Sequence, residues 1–169
     1  MARILSAHTL GLTAKSASSS AELSSHTRPQ SPAVVTDLLS VSANATLHLY
    51  LSDLFQKLRW EVDCNMSFKK AAESVQRRDT AVVVCEEDLP DGSWISWVSS
   101  LRSTPNAPEL IVIGDHRALR YEVMALGGFD ALIRPLRETD VIDAVTSAWR
   151  YWQKRFQHQD DGGVRCSDA

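Results

Sequence analysis

The sequence predicts an α/β protein with a doubly wound, five-stranded parallel sheet and five helices. Two observations carry this expectation. From about residue 36 to 156, short apolar runs of strand character alternate five times with segments whose apolar residues recur at helical spacing. Two of the runs, 81–85 (AVVVC) and 110–113 (LIVI), are apolar at every position, the pattern of strands buried on both faces. In sheets of this kind, ligands and chemistry gather at the carboxyl ends of the strands.

Each element has its own signal. Residues 37–42 (DLLSVS) read as the first strand, and 46–58 as a helix with Leu47, Leu51, Leu54, Phe55 and Leu58 on one face. Residues 60–64 (WEVDC) form a short second strand, followed by a helix over 67–77 through Phe68, Ala71, Ala72 and Val75. The strand 81–85 leads to a helix over 94–101 with Ile95, Val98 and Leu101 inward, and with Trp94 and Trp97 partly buried. After the strand 110–113, a helix over 117–126 is stopped by Gly127 and Gly128, a C-terminal glycine signal. A fifth strand at 131–133 is ended by Pro135, and the last helix runs from Glu138 to about Phe156 with Val141, Ile142, Val145, Ala148, Trp149 and Trp152 at helical spacing.

With 169 residues, the chain is long enough for one domain with a real core. Apolar residues at 44%, charged residues at 23% and a net charge of −3 describe an ordinary soluble protein without electrostatic support for nucleic-acid binding. No apolar run approaches a membrane span, so no membrane partner is expected. Cys64, Cys85 and Cys166 show no CxxC spacing, which predicts a reducing compartment, the cytoplasm, and no zinc site. His8, His26, His48, His116 and His158 stand at no metal spacing and are read as solvated surface residues. Residues 1–31, rich in Ser and Thr, are expected to be a disordered extension, with an organelle transit peptide as the alternative since Arg3 and Lys15 precede any acid. The domain is placed at 32–158 and a disordered tail at 159–169.

The segment VVVCEEDLPDG, residues 82–92, sets Glu86, Glu87 and Asp88 where a buried strand meets its loop. Together with LPDGSWISWVSSLR (89–102) and ALGGFDALIRPL (125–136), it resembles the response-regulator receiver domain of two-component signalling, over about residues 36–156. The first of these segments is similar to the family's turn and third helix after the phospho-acceptor strand. The second is similar to its Gly-containing loop, fifth strand and Lys-Pro signature. The resemblance implies a flavodoxin-like fold and a phosphorylation site made of an aspartate nucleophile, an acidic pair holding Mg²⁺, a hydroxyl and a lysine. Mg²⁺ needs hard oxygen ligands and neutralises the phosphoryl oxygens during transfer, while the hydroxyl and lysine then hold the phosphoryl group.

This chain departs from that pattern at every position. Four residues before Pro90 stands Glu86, whose carboxylate reaches one methylene further than an aspartate and spoils in-line geometry. Ser42 and Ala43 occupy the acidic-pair position, with Asn44 beside them as a weak substitute. The hydroxyl position is Gly114, the lysine is Arg134, and the aromatic switch position is Ala131. The resemblance is therefore to a degenerate receiver, a pseudo-receiver without phosphorelay chemistry and without a cofactor or metal.

Glu86 admits three readings: a solvated loop carboxylate, an ion-pair partner of Arg134, or a constitutive mimic of the phosphorylated state. The pair with Arg134 ranks first, because a mimic needs the hydroxyl and aromatic that Gly114 and Ala131 lack. Glu87, Asp88 and Asp91 read as turn and helix-start acids, favourable near a helix N-terminus. A cation site of Glu86, Glu87 and Asp88 is disfavoured, because three adjacent acids in an extended segment do not converge on one ion.

The expected function is a non-catalytic signalling or scaffolding module that docks to a protein partner: a kinase, a regulator, or itself as a homodimer. In the resembling family, the face of the fourth and fifth helices with the fifth strand usually carries such contacts, and no output domain is expected after residue 156. Ala131, Tyr151, Trp152 and Phe156 are the candidate interface residues, the last three because a five-turn helix should outrun the sheet, while Trp149 is expected in the core. Two alternatives stand beside this one. An atypical receiver would be phosphorylated by a histidine kinase at Glu86 or Asp88. A small-molecule-binding domain would need a phosphate cradle, and neither GxGxxG nor GxxxxGK[ST] occurs.

Overall fold

The computed structural model describes residues 35–160, and the side chains of 35–155. The expected extension 1–31, most of the expected tail, Cys166, His8, His26 and the side chains of Phe156 and His158 lie outside what is described.

The described residues fold into a five-stranded parallel sheet with five helices. The sheet strands are β1 (Thr36–Val41), β2 (Val62–Asn65), β3 (Thr80–Glu86), β6 (Glu109–Gly114) and β7 (Asp130–Ile133), in the order β2-β1-β3-β6-β7. The helices are α1 (Ala45–Gln56), α2 (Phe68–Arg77), α3 (Trp94–Arg102), α4 (Leu119–Ala125) and α5 (Glu138–Asp160). Two further strands, β4 (Asp88–Leu89) and β5 (Gly92–Ser93), form a small antiparallel hairpin between β3 and α3.

The three inner strands β1, β3 and β6 alternate their side chains between two apolar layers. Leu39, Val41, Val83, Cys85, Leu110 and Val112 pack against α2, α3 and α4, whereas Leu38, Val82, Val84, Ile111 and Ile113 pack against α1 and α5. This two-sided burial is why 81–85 and 110–113 carry no polar residue. Burial of each such side chain contributes roughly 1.5–3 kcal/mol.

Most element boundaries move by one or two residues from the sequence expectation, and α5 ends at Asp160, four residues beyond it. Asn44 is the N-cap of α1 and its side chain accepts from the Thr46 amide at 2.9 Å; Ser67 caps α2 in the same way on Lys70. Asp91, expected to serve the start of α3, accepts instead from the amides of Phe68 and Lys69 at 3.2 and 2.9 Å, so it caps α2 from the hairpin. On α3 the buried stripe is Trp94, Trp97, Val98 and Leu101. Ile95 lies off that stripe and is exposed, as is Leu58 beyond the end of α1, both against expectation.

The last helix requires the largest correction. The sheet and the loop before β6 cover α5 farther along than its length suggested: Trp152 is only 5% exposed, packs in the layer with Val145 and Ala148, and its Nε1 donates to the Asn106 carbonyl at 3.2 Å. Trp149 is half-buried, stacked on Trp60 with ring centroids 5.3 Å apart and donating from Nε1 to Asp37 Oδ1 at 3.1 Å. Tyr151 is exposed, leaning on Phe129 with centroids 5.8 Å apart. Ala131 is buried beneath α4, so its side chain offers no surface to a partner. Of the four expected interface residues, Tyr151 alone is a described side chain at the surface.

Candidate functional site

The parallel order of the sheet brings the carboxyl ends of β1, β3, β6 and β7 to one rim. There the sequence places Ser42 just after β1, Glu86 at the end of β3, Gly114 at the end of β6 and Arg134 just after β7. Glu86 is the centre of the group. Its Oε1 accepts from Arg134 Nη2 and its Oε2 accepts from the Ser42 hydroxyl. The Glu86 and Arg134 side chains are 17% and 35% exposed, so the pair is screened less than a surface bridge yet remains in reach of water.

Ser42 is fully buried and held from three sides. Its Oγ accepts from the Asn44 amide at 2.8 Å. Its carbonyl accepts from Nε2 of His48 at 2.9 Å, and Nδ1 of the same ring meets the Ser40 hydroxyl at 2.8 Å. A carbonyl only accepts, so Nε2 carries the proton and, in the neutral ring, Nδ1 accepts from Ser40. His48 is thus a buried bracket between α1 and β1, in contrast to the surface role expected of it. Ala43 is exposed and brings no polar group.

A second contact sits above β6. Gly114 has no side chain, and the space is taken by Glu87: a Cβ on Gly114 would come within 2.5 Å of Glu87 Oε2 and of Leu119 Cδ2. Glu87 Oε1 in turn meets His116 Nε2 at 2.9 Å. Asp115 approaches Nη1 of Arg134 at 3.8 Å. Asp88 lies exposed on the hairpin. The buried thiol of Cys85, just before Glu86, has its pKa pushed far up by burial and, less, by the Glu86 charge, so it is no nucleophile here.

Of the residues named from sequence, the structure joins Ser42, Glu86 and Arg134, sets Gly114 beside them under Glu87, and leaves Ala43 and Asp88 apart. Among the described residues, no group of three or more His, Cys, Asp or Glu side chains is placed to hold a metal ion. Glu87 was expected as a turn acid and His48 and His116 as surface residues; the contact of Glu87 with His116 and the bracket made by His48 were not expected. A cleft of about 640 Å³ lies over β7 between α4 and α5, lined among others by Arg117, Arg120, Arg137, Asp140 and Asp143, and by neither Ser42 nor Glu86.

Solved structures with the same fold include receiver domains. The chain is similar to the signal receiver domain of an HD domain-containing protein from Pseudomonas fluorescens, at 14% identity and TM-score 0.64, over 71% of this chain and 90% of that one. It is similar to the chemotaxis response regulator CheY4 of Vibrio cholerae, at 15% identity and TM-score 0.59, over 66% of this chain and 96% of that one. This is a receiver-like fold. An adenylate cyclase structure from Rhodopirellula baltica matches the same receiver-like chain at 18% identity and TM-score 0.63, over 73% of this chain and 93% of that one. No family model and no curated protein matches the chain. Among the described residues, no helix is long and apolar enough to cross a membrane.

Proposed function

We propose that the chain is a pseudo-receiver: a signalling or scaffolding module that works by docking to a protein partner and does not turn over phosphate. The observation that carries this reading is the engagement of Glu86 on both carboxylate oxygens, by Ser42 and by Arg134. A phospho-acceptor must present a free oxygen in line with the phosphoryl donor. Here the oxygen nearest the β1 end is taken by a hydroxyl donor, and the other by a guanidinium. Beside it, the position of the acidic pair is a buried serine and an alanine, so the hard anionic ligands that Mg²⁺ prefers are absent at 42 and 43.

The test is intact-mass measurement after incubation with a small phosphodonor and Mg²⁺, alongside a Mg²⁺ titration of tryptophan fluorescence. The expected result is no added phosphoryl group and no saturable response. One added phosphoryl group mapping to Glu86 or Asp88 overturns the reading in favour of an atypical receiver. Glu86→Asp alone should not restore acceptance, because Ser42 and Ala43 still supply no carboxylate.

A further inference from the structure

We propose that the contact between His116 and Glu87 is a proton-controlled latch holding the loop between β6 and α4 against the end of β3. It goes beyond the docking reading and does not depend on it. Three features of the geometry assign the role. The ring of His116 is in the loop, and the carboxylate it meets at 2.9 Å belongs to the segment after β3. Gly114 makes the contact accessible, since any Cβ there would displace the Glu87 carboxylate. Glu87 is itself anchored at the backbone: its amide donates to the Ile113 carbonyl at 3.0 Å, and its carbonyl accepts from the Trp94 amide at 3.2 Å. One partner is thus fixed to the sheet and to the start of α3 while the other rides on the loop.

The surrounding charges decide how the latch responds to protons. Facing His116 are Glu87 from the end of β3, Glu122 from α4 and Asp115 from its own loop. Arg134, after β7, approaches Asp115 and is occupied by Glu86; Arg117 follows in the same loop. With His116 protonated, the ion pair is complete. Once the ring is neutral, Glu86, Glu87 and Asp115 stand against Arg134, and the hydrogen bond between His116 and Glu87 keeps only the charge of the carboxylate and loses that of the ring. The hydrogen bond to Glu87 raises the His116 pKa above its ordinary 6.5; partial loss of water opposes the rise, and the charges of Glu87, Glu122 and Asp115 add to it. A histidine whose folded-state pKa is raised stabilises the folded arrangement fully below 6.5, and that contribution is lost as pH rises through the raised value. The latch is tight on the acid side and slack on the alkaline side.

The experiment is a backbone and histidine-ring NMR titration of the full chain from about pH 5 to pH 8. In the wild type, the amides of Asp115, Arg117 and Glu87 should shift together with the His116 ring. In Glu87→Gln the ring midpoint should fall, and in His116→Gln the joint response of the loop amides should be lost. Both positions are partly exposed, so both variants should keep the fold, which amide dispersion checks in the same spectra. An unchanged ring midpoint in Glu87→Gln, or a wild-type pH response of the loop in His116→Gln, overturns the proposal.

Discussion

Trp152 and Trp149 stand three residues apart on α5, so both indoles point to the same side of the helix. Their surroundings differ. Trp152 is buried and its indole N–H is used inside the protein, whereas Trp149 is half-buried at the rim next to Trp60. Trp152→Ala should therefore cost about 3–5 kcal/mol, as deletion of a core aromatic does. Trp149→Ala should cost roughly 2 kcal/mol, since part of its surface is already in water. Tyr151→Ala, at a side chain 52% exposed, should stay within about 1 kcal/mol. Denaturant unfolding of the three variants gives the order; a Tyr151 loss as large as that of Trp152 would show that the burial assignments are reversed. At this scale the Glu86–Arg134 pair was legible through the receiver resemblance, which sets both residues at strand ends on one rim of the sheet. The third member, Ser42, was read as the loss of a carboxylate; its gain as a hydroxyl donor depends on a distance that no spacing reveals.

At the scale of elements, the hairpin of β4 and β5 does more than connect β3 to α3. Its turn carries Asp91 to the first turn of α2, where the carboxylate meets two amides that no helical carbonyl reaches. Asp91→Ala should cost about 1 kcal/mol and raise amide exchange at Phe68 and Lys69, while Asp88→Ala, an exposed position, should change neither. Equal effects from the two would mean that local charge near α3 matters and the cap on α2 does not. The acid was readable as a helix-start residue, but the helix it serves was not, because sequence order favours the neighbour and the contact spans 23 positions. The same limit applied to α5. Its periodicity fixed which residues face inward, yet how far the sheet and the 103–108 loop cover it is a matter of tertiary packing.

For the molecule as a whole, the sheet was legible because two continuous apolar runs leave little choice but strands buried on both sides. The five-fold alternation then implies right-handed crossovers and helices on both faces. Function was far less legible. The rim residues mark the corner on which the proposal rests, and the phosphodonor experiment decides between a pseudo-receiver and an atypical receiver there. Of the expected interface residues, Trp152 at the end of α5 belongs to the core and Ala131 in β7 is buried beneath α4, while Tyr151 remains at the surface.

One consequence follows from β1, β3 and β6 feeding both apolar layers. Leu38 belongs to one layer and Leu39 to the other; Val82 and Val83, and Leu110 and Ile111, divide in the same way. Neither layer can come apart while the other keeps its strands, because the strands are the same strands. Melting of the domain should therefore be a single cooperative event rather than two, with calorimetric and van't Hoff enthalpies in agreement. The slowest-exchanging amides should be those of Val82, Val83 and Val84, whose exposure requires the whole sheet to open, and their exchange should report the global unfolding free energy. Two resolved calorimetric transitions within the domain, or faster exchange at Val83 than in α5, would mean that the layers unfold one at a time.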